Sequence, residues 1–121
     1  MLWHDSGSAR RLINEQPVLA DQGPTGPNVG ICPFHGFLDI PVNLSRNVIG
    51  VNLTGAYHVA RAAARQMVSQ GTGGAIVATS SNRALVGDAM QTHYTSTRAG
   101  VHLPMQSAAI ALDPHRIRCI R

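Results

Sequence analysis

The sequence predicts an α/β fold: the central-to-C-terminal part of a doubly wound parallel sheet, with two or three strands and two long helices. Three observations carry this. The first is order: a helix-spaced apolar run from Pro41 to about Gln70, an apolar strand over 75–80, a second helical stretch over 93–112, and the strand-like Ile117-Arg118-Cys119-Ile120. Helix, strand, helix, strand is the crossover unit of a parallel sheet. The second is composition: 44% hydrophobic against 13% charged residues suits a buried core and argues against disorder. The third is size. So few strands leave long unpaired edges and little sheet to cover, so the 121 residues read as part of a larger domain.

Taken in order, residues 1–26 are rich in Gly, Pro, Ser and Asp and read as an irregular arm. Within them Arg11-Leu12-Ile13-Asn14 suggests a helical turn and Pro17-Val18-Leu19-Ala20 a short strand, while the Gly-Pro tract at 22–27 admits neither. The domain proper is expected over 27–121. Pro41 suits a first-turn position, and Val48, Val51, Gly55, Val59, Ala62 and Ala63 recur at helical spacing, with Arg46, Arg61 and Arg65 mostly off that face. The tract Ser69-Gln70-Gly71-Thr72-Gly73-Gly74 ends the helix. The strand at 75–80 is expected to be buried on both faces, and a loop carries Ser81 to Gly87. In the second helix Pro104 is an interior proline, which removes the bond to the Gly100 carbonyl and costs about 3 kcal/mol, so a kink is expected there. Asp113-Pro114 stops that helix.

The formal charge of +4 comes from scattered arginines with little aromatic interleaving, which argues against a nucleic-acid partner and suits a phosphate-bearing cofactor equally well. Cys32 and Cys119 make neither a metal signature nor a disulfide framework, and the histidines are dispersed. No signal-peptide core and no span long enough for a bilayer is present, so a reducing, cytoplasmic setting is expected.

Chemistry concentrates in three residues. Tyr94 and Arg98 are four apart, about one helical turn, and so share a helix face. A cation beside a phenol favours phenolate. Ser81 lies thirteen residues before Tyr94, after the run Ala75-Ile76-Val77-Ala78, and its hydroxyl can hold an oxygen that gains or loses a proton. That is the outline of proton transfer coupled to hydride transfer at an alcohol carbon. Taken singly, each has an ordinary alternative: a packed tyrosine, a strand-end serine bonding local backbone, a helix arginine reaching solvent. Ser80 competes with Ser81 for the role, though the spacing to Tyr94 favours Ser81, and Asn82, Arg83, Gln91 and His93 are either pocket residues or solvated loop.

With Asn52 in Val51-Asn52-Leu53-Thr54-Gly55 added, the segments around Ser81 and Tyr94-Thr95-Ser96-Thr97-Arg98 resemble the short-chain dehydrogenase/reductase family, whose catalytic group is Asn, Ser and Tyr-x-x-x-Lys. The stretches from Gly30 to Asp39, Ala84-Leu85-Val86-Gly87 and Met90 to Thr95 resemble its sugar-oxidising branch. The resemblance implies a Rossmann-like fold, NAD or NADP as cofactor, and an alcohol or sugar substrate, including an aldose oxidised at its anomeric carbon to a lactone. It implies Tyr94 as general acid/base, Ser81 on the substrate oxygen, Asn52 holding a water of a proton chain, and Asn28, Gly30, Tyr94 and Arg98 along the cofactor. It also implies pairing of subunits through the two long helices.

Two departures stand out. Arg98 occupies the lysine position, and all ten basic residues are arginine, so no lysine substitutes. Arginine keeps the charge and loses the compact ammonium and its capacity to relay a proton, which leaves a functional substitute and a dead replacement equally open. The Gly-rich turn that would hold the pyrophosphate is missing, as are the family's first three strands and its later Pro-Gly segment. The alternative expectation is therefore a catalytically inactive truncated remnant, serving as a dimerisation or binding module.

Overall fold

The computed structural model describes residues 29–121. The helical turn expected at 11–14, the strand at 17–20 and the candidate cofactor residue Asn28 lie outside them. A loop from Val29, with a single 3-10 turn at Phe37–Asp39, leads into the first helix.

That helix is interrupted. Helix α1 runs Val42–Ile49, a π-turn follows at Gly50–Thr54, and α2 runs Gly55–Gln70. Pro41 stands just before the first helical residue, with its carbonyl accepting from Ser45 N–H at 3.0 Å. In the π-turn the Gly55 amide donates to the Gly50 carbonyl five residues back. One extra residue in a turn rotates everything after it by about 100° against the 3.6-residue period. This overturns part of the apolar face expected from sequence. Val48 is buried, but Val59 is 37% exposed, and the core side of α2 is made by Ala56, Ala60, Ala63, Ala64 and Met67. Arg46, Arg61 and Arg65 are exposed, as expected. Because Val48 and Ala63 are buried inside the fold, they are not available to a face on which another subunit could dock. Gly71, at φ +69°, ends α2 in the left-handed conformation that a side chain disfavours, and its amide caps the Met67 and Val68 carbonyls.

Strand β1 (Gly74–Val77) pairs in parallel with β2 (Ile117–Ile120), in the register Gly74 to Ile117 and Val77 to Ile120. Ala78 N–H extends the ladder to the Ile120 carbonyl at 2.8 Å. One sheet face packs on the helices through Ile76, Ala78 and Ile117, all at or below 2% exposure, against Ala63, Met67, Val101 and Met105. The other face carries Val77 and Ile120, which are 37% and 48% exposed. The expectation of burial on both faces therefore fails at Val77, while Ala75 on that same face is buried.

The second long helix is divided where Pro104 predicts trouble. Helix α3 spans Thr92–Gly100 and α4 spans His102–Leu112, joined at Val101. Val101 keeps right-handed helical angles, and the bonds from Val101 N–H to Thr97 and from Met105 N–H to Val101 cross the junction at 3.2 Å. Pro104, the third residue of α4, has no N–H to return to Gly100, and placing it in a first turn limits the loss. Gly100 itself lies against Leu53: a Cβ there would meet that side chain at 3.3 Å. A 3-10 turn at Asp113–His115 follows α4 and leads into β2. An apolar groove lined by Leu53, Ala56, Ala60, Val101, Met105 and Ala108 runs between α2 and α4.

Candidate active site

The site is built where the π-turn meets α3. The π-turn buries Asn52 completely. Its Oδ1 accepts from Ile31 N–H at 2.8 Å, while its Nδ2 donates to the Ile31 carbonyl at 2.8 Å and to Thr97 Oγ1 at 3.2 Å. Both amide protons are used within the protein. Thr97, 1% exposed, passes its own proton to the Tyr94 carbonyl at 2.7 Å. Asn52 thus ties the backbone beside Gly30 to the helical turn that carries Tyr94 and Arg98. Asparagine is a poor helix-interior residue because its amide competes for backbone partners. Here a buried peptide unit outside the helix supplies those partners.

Arg98 lies in a fitted place. One terminal nitrogen donates to the Thr79 carbonyl at 3.1 Å. The other sits over Gly30 so closely that any Cβ on Gly30 would collide with it. The guanidinium carbon is 5.1 Å from the centroid of the Tyr94 ring, a cation over a π face. Arg98 Nε is buried and has no acceptor among the described residues. Sequence spacing correctly placed the cation beside the phenol, and the structure shows it against the ring face.

Ser81 stands at the end of the segment leaving β1. Its Oγ accepts from Arg83 N–H and donates to Asn82 Oδ1, both at 3.2 Å, capping the 3-10 turn Asn82–Ala84. Helix α3 packs on that turn. The rival Ser80 is occupied elsewhere: its Oγ reaches the Arg98 carbonyl at 3.2 Å and His102 Nε2 at 2.9 Å. Of the other pocket candidates, Asn82 is exposed and Arg83 pairs with Asp88 at 2.9 Å. Gln91 and His93 are buried, at 7% and 5% exposure, and Gln91 Oε1 and both His93 ring nitrogens lack partners among the described residues. Thr97 and His102 are the participants that sequence reasoning missed. A threonine three residues after the tyrosine can bond back to its carbonyl, which was the only local signal.

His93 carries a consequence for pH. Burial is the main cause that lowers its pKa below 6.5, and the nearby His35 adds to it. The Pro33 carbonyl beside the ring favours the charged form and offsets part of this. The unfolded chain therefore takes up this proton first. The stability is fully present above the unfolded pKa near 6.5 and is lost as pH falls below it. The urea midpoint is expected to drop between pH 7.5 and 5, and His93→Phe is expected to flatten that slope. Equal slopes in both proteins would contradict the assignment.

Among the described residues no group of three or more His, Cys, Asp and Glu could hold a metal ion, and no helix is long and apolar enough to cross a membrane. Comparison with known proteins places this geometry. The short chain dehydrogenase family model matches residues 27–121. An L-rhamnose 1-dehydrogenase (NAD(P)(+)) of Sphingomonas sp. is 63% identical over 92 residues, covering 76% of this chain and 36% of the relative. The enzyme of the same name from Azotobacter vinelandii is 62% identical over the same shares. Among solved structures, a carveol dehydrogenase from Mycobacterium avium in complex with NAD superposes with a TM-score of 0.74 at 32% identity, covering 79% of this chain and 35% of that one. The chain thus spans about a third of the length of the relatives it matches. It belongs to the short-chain dehydrogenase family.

Proposed function

We propose that this chain carries the proton-transfer part of an NAD(P)-dependent dehydrogenase that oxidises a sugar hydroxyl, with L-rhamnose the first substrate to test. The observation that carries the reading is the Asn52 clasp. It holds the Tyr94–Arg98 turn against the Gly30–Ile31 backbone, with the Ser81 turn packed on the same helix.

In this reading Tyr94 takes the proton from the substrate hydroxyl and Ser81 holds that oxygen by hydrogen bonding. Transfer by a positioned side chain contributes about 10²–10⁴-fold. Arg98 keeps positive charge against the face of the Tyr94 ring, a cation–π contact that holds the ring in place. The described residues fit the nicotinamide-ribose end of a dinucleotide on one ground: Arg98 Nε is a buried donor with no acceptor among them, next to Tyr94, and a ribose hydroxyl is an acceptor of the right kind. Gly30, Tyr94 and Arg98 would hold it. When bound, NAD or NADP supplies the hydride acceptor. Asn52 has spent both amide protons on Ile31 and Thr97, so it acts in this reading as a structural tie and orders no water through its Nδ2.

A second reading, a non-catalytic pairing or binding module, is favoured by one observation: the apolar groove between α2 and α4. A hybrid separates the two. Residues 27–121 replace the matching segment of the Sphingomonas relative, and dinucleotide reduction by L-rhamnose is followed at 340 nm. Turnover within about tenfold of the parent is expected, since fewer than four residues in ten differ over the aligned segment. A folded hybrid that binds the dinucleotide and reduces none would favour the second reading.

A further inference from the structure

Ser81 and Tyr94 sit on different segments, the end of β1 and helix α3, so something must fix one against the other. Two polar links join these segments directly. One is Arg98 to the Thr79 carbonyl. The other is Ser80 Oγ, which contacts the Arg98 carbonyl at 3.2 Å and His102 Nε2 at 2.9 Å. A serine hydroxyl has one proton to give and two lone pairs to offer. The Arg98 carbonyl can only accept, so if both contacts are hydrogen bonds the Ser80 proton goes to it. Ser80 Oγ must then accept from the imidazole, which requires the proton on Nε2. The opposite tautomer would leave two lone pairs facing each other or strand the carbonyl. The position of His102 gives this link its reach. It is the first residue of α4, immediately past the Val101 junction that Pro104 imposes. At that break the ladder cannot bond the turn as continuous helix would.

We propose that His102 is a positioning residue for the site. As the Nε2–H tautomer it donates to Ser80, whose proton goes to the Arg98 carbonyl, and this two-bond chain fixes the strand end bearing Ser81 against the turn bearing Tyr94 and Arg98. What is positioned rests on the dehydrogenase reading; the bonds themselves do not.

The test is nitrogen-15 NMR on the full chain, without dinucleotide or sugar, so that its failure is separable from failure of the dehydrogenase reading. With a neutral ring, Nε2 of His102 should resonate as the protonated nitrogen and Nδ1 as the bare one. His102→Leu keeps bulk and removes the donor; His102→Gln places an amide N–H where Nε2 stood. In His102→Leu the amide signals of Ser81 and Tyr94 are expected to move, and exchange of the Val101 amide, bonded to Thr97 at 3.2 Å, to quicken about tenfold. His102→Gln should restore all three. The Ala78 amide, bonded to Ile120 in the sheet, serves as the control and should not change. A bare Nε2 in the unmodified chain, or His102→Leu with Ser81, Tyr94 and Val101 unaltered, overturns the proposal. Should His102→Leu fail to fold, the tautomer of the unmodified chain still decides.

Discussion

Asn52→Leu is expected to lower the stability of this chain by about 3 kcal/mol, one of the two largest effects of any single change in the site. The side chains are of similar size, so the loss is not one of volume. It is the loss of three partners at a fully buried position: Ile31 N–H, the Ile31 carbonyl and Thr97 Oγ1. A lost hydrogen bond of ordinary strength costs about 1 kcal/mol, and a buried group left without a partner costs about 1–3 kcal/mol. For a domain of this size the thermal midpoint should fall by roughly 15 °C. Asn52→Asp should be nearly as damaging. It keeps an acceptor for Ile31 N–H and turns the donor side into a second acceptor facing the Ile31 carbonyl. A fall of less than about 3 °C for Asn52→Leu would mean that the clasp does not hold the turn.

How much of this was legible in the sequence depends on how local each signal is. The element order was legible because period, glycine and proline are local: Gly71 ends α2 and Pro104 marks the divided helix, as their backbone chemistry requires. The pairing of Tyr94 with Arg98 was legible for the same reason, being one helical turn. The π-turn was not. Nothing in Gly50-Val51-Asn52-Leu53-Thr54 announces an extra residue, because what stabilises it is a peptide unit at Ile31, twenty-one residues away. Missing it rotated the expected apolar face and assigned Val59 to the core, where Ala60 and Ala64 belong. Burial of the sheet on both faces was expected from an apolar strand alone, and the exposed Val77 shows that an apolar strand does not bring its own cover. Spacing to Tyr94 favoured Ser81 over Ser80, but the contact that engages Ser80, with His102 twenty-two residues away, was not legible in the sequence.

Tyr94→Phe is expected to reduce turnover of the hybrid enzyme by about 10²–10⁴-fold, the range associated with removing a positioned general acid/base. The change deletes one oxygen. The ring remains for the Arg98 guanidinium to cover, and the Tyr94 carbonyl remains for Thr97, so stability should stay near the parent value. That separation makes the variant informative. An effect on kcat with little on KM marks an interaction used in the reaction rather than in binding. Ser81→Ala should lower the same rate less, because Ser81 holds the oxygen and does not take its proton. Equal loss of thermal stability in Tyr94→Phe would move the explanation from chemistry to packing.

The most direct measurement is a crystal structure of the hybrid enzyme with L-rhamnose bound. The account predicts that the Ser81 hydroxyl and the Tyr94 phenol both lie within about 2.6–3.2 Å of one sugar oxygen, the anomeric hydroxyl. A sugar whose anomeric oxygen meets neither group, or a Ser81 and Tyr94 too far apart to share one oxygen, would contradict it.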